Sequence, residues 1–433
     1  MKIKYYIVFF VLLFSIINNG QPTGLFNSLA RNDSSSISNT YIPLLLDPGL
    51  SLRIGAENTI TIHKGISYLE DRLIGMRWFS ESNFGGKTGG VAVRLVKYFF
   101  LDIPLDYFSI VLAHEYFGHG ARYRELDINN IHYSFDFPPP YGGGGGEAST
   151  NITQPISYQE LLSIWEGGIE AHSVINKNLS LCWMSSNKIT YREASQFVFS
   201  FQILMKYIQE TNEDLFDGTS DNDLRAYVRI LNSKDAYKNP DTIKMSVADL
   251  KSKMMLNVLN PFILNSLYTI FKSYLWDGNN SNDLFTLEIG NVNYLPSFRA
   301  GLTPFGIEYH LDNYLQFDDK TSLVDLSYGD QTFHDFWGGI GIHIQNIYKP
   351  KKFSFDVNLN LWKQPGLIFG TNSVESIGAS IGGAFSIRGY YDFNNRDFPI
   401  SAVLEFGYKS TGFIEGYNLK SSPILMLGLA TRY

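Results

Sequence analysis

FSFDVNLNL, Phe353 to Leu361, alternates without a break: Phe353, Phe355, Val357, Leu359 and Leu361 are apolar, while Ser354, Asp356, Asn358 and Asn360 between them are polar. Successive side chains of an extended backbone point to opposite sides, so a period of two marks a strand with one apolar and one polar face. The same rhythm sets Phe305, Ile307, Tyr309 and Leu311 against Gly306, Glu308, His310 and Asp312. It recurs near Ser322–Tyr328, Gly338–Tyr348, Ile377–Tyr391, Ile400–Lys409 and Ile424–Tyr433, between turns rich in Gly, Asn, Asp and Pro. With one more strand near Ser297–Leu302, the count comes to about eight.

Two architectures accept such strands. A soluble sandwich turns the apolar faces inward, whereas an outer-membrane barrel turns them to lipid and fills its lumen with the polar residues. Asp356, Asn358 and Asn360 on one face would be costly in a dry core but suit a polar lumen. The final strand, with Leu425, Leu427, Leu429, Thr431 and Tyr433 in alternation, resembles the C-terminal strand by which bacterial outer-membrane barrels are recognised for assembly. The expectation for 284–433 is an antiparallel β-barrel surrounded by membrane lipid.

Upstream, from 60 to 280, the period is helical. Ser157-x-x-Glu160 and Thr190-x-x-Glu193 are capping boxes, and each precedes an apolar stripe: Leu161, Leu162, Trp165 and Ile169 in one, Phe197, Phe201 and Leu204 in the other. Asn260-Pro261 starts a third helix. The run PPPYGGGGGE, Pro138 to Glu147, reads as a loop. GGKTGG at Gly85–Gly90 lacks the glycine and the preceding strand of a phosphate-binding loop, so no nucleotide is expected.

At the start, Lys2 and Lys4 precede an apolar run from Tyr5 to Ile17, the layout of a secretory signal over 1–20, and 21–59 reads as a linker or pro-segment. The chain is therefore expected to be exported. A net charge of −7 with no long basic run argues against nucleic acid. Cys182 is the only cysteine, so a metal would be held by histidine and carboxylate.

The segment that carries chemistry is VLAHEYFGHGAR, Val111 to Arg122. A His-Glu pair followed by a second His within about one turn is what a zinc hydrolase requires: His114 and His119 hold the ion, and Glu115 takes a proton from the activated water. The two histidines stand at i and i+5, about 140° apart on an ideal α-helix. A π turn would bring them together, and such turns occur mostly at functional sites.

HEYFGHG resembles the HExxGH segment of dipeptidyl peptidase III, a zinc exopeptidase family, here through His114, Glu115, Gly118 and His119. The resemblance implies that a downstream helix supplies a glutamate ligand, Glu166, and that Glu170, four residues on, supports a histidine from the second shell. Gly167 and Gly168 beside them weaken a helix unless another backbone approaches closely, and the histidine helix is the natural neighbour. His172 reads as facing away from Glu166. Arg122, Tyr123, His132 and Tyr133 are candidates to stabilise an oxyanion.

The fold class expected is thus α+β, a helical zincin-like domain followed by a C-terminal antiparallel barrel. The function expected is that of a zinc-dependent metallopeptidase acting on a peptide or protein in the outer membrane of a Gram-negative bacterium. Two rivals remain at this stage: an outer-membrane binding or structural protein with a non-catalytic metal site, and an intramembrane metalloprotease. The second draws on the apolar stretch Gly90–Ala113, against which Lys97, Asp102, Pro104 and Asp106 count.

Overall fold

The computed structural model describes residues 41–70, 86–136, 145–213, 222–232, 245–331, 334–370, 378–393 and 400–432. The signal expected at 1–20, most of the Gly-rich loop and Tyr433 lie outside them.

The expected strands form. β7 (Val292–Thr303), β8 (Gly306–Phe317), β9 (Lys320–Gln331), β10 (His334–Tyr348), β11 (Phe353–Pro365), β12 (Ala379–Asp392), β13 (Ile400–Lys409) and β14 (Ser422–Arg432) make an antiparallel meander. The three-residue β6 (Leu287–Ile289) borders β7, and β1 (Tyr41–Leu46) pairs with β14. The sheet therefore has ten strands and is not closed as a barrel. This corrects the expected eight-stranded closure: the edge strands β1 and β6 do not meet. It also corrects the linker, since residues 41–46 are a sheet strand and α1 begins at Leu52.

Burial along the sheet is inverted. On β11, Ser354 and Asp356 are buried while Leu359 and Leu361 are exposed. On β13, Glu405 is fully buried and its neighbours Leu404 and Phe406 are 44% and 51% exposed. The buried polar face is satisfied by ion pairs: Arg388 binds Glu405 and Glu57, Arg53 binds Glu405, and Arg299 binds Asp312 and Glu415.

The helical part packs against that inner face. In chain order it comprises α1 (Leu52–Glu70), α2 (Gly86–Lys97), a π segment (Tyr98–Asp102), α3 (Ile103–Leu112), a second π segment (Ala113–His119) and α4 (Gly120–Glu125). The β2–β3 hairpin (His132–Phe135, Gly146–Ser149) follows, then α5 (Tyr158–Ser186), β4 (Lys188–Thr190), α6 (Tyr191–Glu210), α7 (Asp223–Leu231) and α8 (Val247–Met254). A 3-10 turn (Met255–Leu259), α9 (Pro261–Leu267), a third π segment (Tyr268–Trp276) and β5 (Ser281–Asp283) lead to the sheet. Both capping boxes are formed, at Ser157 and Thr190, each contributing about 1 kcal/mol. α5 runs along β7, β8 and β9, and one core joins Leu179 and Phe197 of the helices to Leu295, Tyr314 and Leu323 of the sheet.

Candidate metal centre

The i+5 spacing is accommodated by a π turn. Ala113–His119 is a π-helix, and the Gly120 N–H donates to the Glu115 carbonyl five residues back. The wider turn aims His114 and His119 at one point: their Nε2 atoms are 3.2 Å apart. Asp223, the first residue of α7, brings Oδ2 to 3.1 Å from His114 Nε2 and 3.2 Å from His119 Nε2.

The hydrogen bonds behind the rings decide what this triangle can hold. His119 Nδ1–H donates to the Ile164 carbonyl at 2.6 Å, which leaves its Nε2 a bare lone pair. On the other side, His172 Nδ1–H donates to the Ser200 carbonyl at 3.1 Å, so His172 Nε2 accepts from His114 Nδ1–H at 3.0 Å. His114 Nε2 is then bare as well. Two ring nitrogens and a carboxylate oxygen pointing at one another require a positive charge between them, a proton or a metal ion. Ligand atoms about 2.0–2.2 Å from a tetrahedral zinc stand about 3.3–3.6 Å from one another, close to the sides of this triangle. The three residues could hold a metal ion, and their separations would suit zinc.

Without a metal ion, the electrostatics draw a proton to the same point. Burial would lower the His119 pKa, but the charge and hydrogen bond of Asp223, with the charge of Glu115, push it up to about 9. Burial opposes ionisation of Asp223, yet both histidines hold its carboxyl far below the usual range. His172 is kept neutral, its pKa lowered to about 3 by burial and by His114. Tyr207 of α6 fixes Asp223 from behind: its hydroxyl donates to Oδ2 at 3.1 Å and accepts from the Asp223 N–H at 2.9 Å.

Glu115 is buried, and its charge acts on His119, Tyr123, Tyr133 and Tyr207. β3 packs beside it so tightly that a Cβ on Gly146 would lie 2.6 Å from Glu115 Cγ.

The close approach anticipated at the glycines is present. A Cβ on Gly118 would meet the Gly167 carbonyl and Gly168 Cα at 2.6 Å, and one on Gly168 would meet the His114 ring at 2.4 Å. That contact displaces Glu166 and Glu170 from their expected roles. Each is two residues from Gly168, about 160° around an α-helix, so both point away from His114. Glu170 pairs with Arg122, its oxygens 2.6 Å from Nη2, and accepts from the Gly416 N–H. Glu166 is fully buried with neither oxygen hydrogen-bonded; its electrostatic neighbours are Glu170, Arg122, Glu415 and Glu308.

His172, by contrast, is four residues from Gly168 and shares its face. That spacing was a readable signal for it. Asp223 and Tyr207 had none. Of the oxyanion candidates, Arg122 is committed to Glu170, Glu125 and the Tyr417 carbonyl, and His132 is exposed on β2. Tyr133 receives Arg124, and Tyr123 stays within reach of the Glu115 and Asp223 charges.

No family model, curated protein or solved structure matches the chain.

Proposed function

We propose that this protein is an exported zinc-dependent hydrolase of peptide bonds, held in a Gram-negative outer membrane by the outer face of its sheet. The observation that carries the catalytic reading is the meeting of the His114 and His119 Nε2 atoms with the Asp223 carboxylate beside the acid Glu115.

His114, His119 and Asp223 would hold the ion. When bound, zinc lowers the pKa of water to about 7 and polarises a carbonyl. Glu115 takes the proton of the attacking water and returns it to the leaving amine nitrogen. Ile164 and His172 keep both imidazoles in the tautomer that leaves Nε2 free, and Tyr207 holds Asp223 against rotation.

The membrane reading rests on the inverted sheet. The outward row Ile344–Val357–Ile387–Phe406–Leu425 is apolar across five strands, while Arg388, Glu405 and Asp356 face inward. A protein in water arranges these the other way.

The deciding experiment measures metal and turnover together. Wild-type protein should bind one zinc and cleave a peptide library; Glu115→Gln should keep the zinc and lose about 10²–10⁴-fold in kcat. Zinc with equal turnover in both forms, or none in either, would make this a non-catalytic metal site.

A further inference from the structure

The two edges of the sheet expose apolar residues: Leu46 on β1, and Leu287 and Ile289 on β6. In hydrocarbon an open sheet edge leaves backbone groups unsatisfied at several kcal/mol each, so something must stand between the edges.

The packing order shows what does. β1 packs on α1, α1 on α3, and α3 continues back through the first π segment to α2; α2 packs on the third π segment, which continues from α9, and α9 and the 3-10 turn pack on β7. Residues turned outward along this path are apolar. Ile62 of α1 is 38% exposed, Phe100 of the first π segment 69%, Leu264 of α9 71% and Phe271 of the third π segment 59%.

Most described charges of the same elements are turned inward and paired, while Lys272 of the third π segment is half exposed and pairs with Asp277. Lys97 binds Asp102 and Glu70, Arg192 binds Asp102, and His63 binds Asp106. Arg94 is fully buried and donates to the Leu275 and Trp276 carbonyls, closing the end of the third π segment. Of the residues that counted against membrane contact in the sequence, Lys97, Asp102 and Asp106 are therefore inside.

We propose that these helical faces are lipid-facing and complete the wall that the strands leave open, so that one apolar band of strands and helices encircles the protein in the bilayer. The inference rests on the membrane reading above and adds that the helices share the acyl-chain environment. A second protein would cover one side, but exposed apolar residues lie on both the strands and the helices, with most described charges of both on the inside. A bilayer is the partner that contacts every side at once.

The test uses single cysteines at Phe100 and Leu264 on the helices, at Leu359 and Phe406 on the sheet, and at the exposed His132, all in a Cys182→Ser background. The full chain, nitroxide-labelled in phosphatidylcholine–phosphatidylglycerol vesicles, is read for collision with oxygen and with a water-soluble nickel chelate. Oxygen should dominate at the four apolar positions and the chelate at His132. Chelate dominance at Phe100 and Leu264 with oxygen dominance at Leu359 and Phe406 overturns the helical wall and leaves the membrane reading standing. Chelate dominance at all five overturns both. Should a labelled variant fail to insert, bromolipid quenching of a smaller fluorophore at Ile62 and Phe271 reads the same surface, with the same two outcomes.

Discussion

His114, His119 and Asp223 each supply one corner of the donor triangle, so under the proposed function loss of Asp223 would remove a ligand while loss of Glu166 would remove none. Asp223→Ala should abolish stoichiometric zinc and Glu166→Ala should retain it, as read by metal analysis after gel filtration; equal loss would restore Glu166 to the coordination sphere. Glu166 has a different signature. Burial, then the charge of Glu170, pushes its carboxyl well above the usual 4.5. The folded state therefore keeps a proton that the unfolded state loses. Its contribution is fully present below about 4.5 and declines as pH rises toward the folded value. Melting temperatures of wild type and Glu166→Gln should converge at acid pH and separate above it, with the variant the more stable; parallel curves would show that Glu166 is ionised and paired. At this scale the histidines and Glu115 were legible because they lie within one turn of each other. Asp223 was not, because its approach is made by tertiary packing through Tyr207, and Asn222-Asp223 reads as an ordinary helix start.

Elements carry constraints that single residues do not show. The π turn was legible from the i+5 spacing, since no other helical geometry lets those rings converge, and the Gly167-Gly168 pair was legible as a close approach. The misreading lay in which face the pair marked: glycines mark the contact, and carboxylates two residues away must then face the opposite side. Gly168→Ala tests this. Helix propensity favours alanine by about 1 kcal/mol, yet its Cβ would sit 2.4 Å from the His114 ring. The variant should bind zinc more weakly, with His114 displaced, in competition with a chromophoric chelator; unchanged affinity would mean that the ring has room to move. β1 escaped the sequence reading because Pro43 lies in it and proline argues against a strand. It is an edge strand, where a missing donor is tolerated.

Across the whole molecule, alternation revealed the strands and their two faces but not whether the sheet closes. Closure depends on strand number and stagger around the full circuit, and no local window contains either. The inverted faces still make a prediction. Leu359→Arg, outward on β11, should cost about 2–4 kcal/mol if it meets the bilayer midplane, measured by urea unfolding from vesicles; no cost there would contradict lipid contact.

The pairing of β1 with β14 has a temporal consequence. Every helix of the metal centre lies in the loop that this pair closes, and closing so long a loop is entropically slow. The segment between β13 and β14 also secures the helices: Gly416 N–H holds Glu170, the Tyr417 carbonyl receives Arg122, and Leu419 N–H binds Glu125. The β13–β14 connection, 295 positions from Arg122 at the Tyr417 carbonyl, thus locks the histidine helix in place. Until the β13–β14 hairpin docks, a folding chain carries the motif without the scaffold that aims it, so the candidate site assembles late.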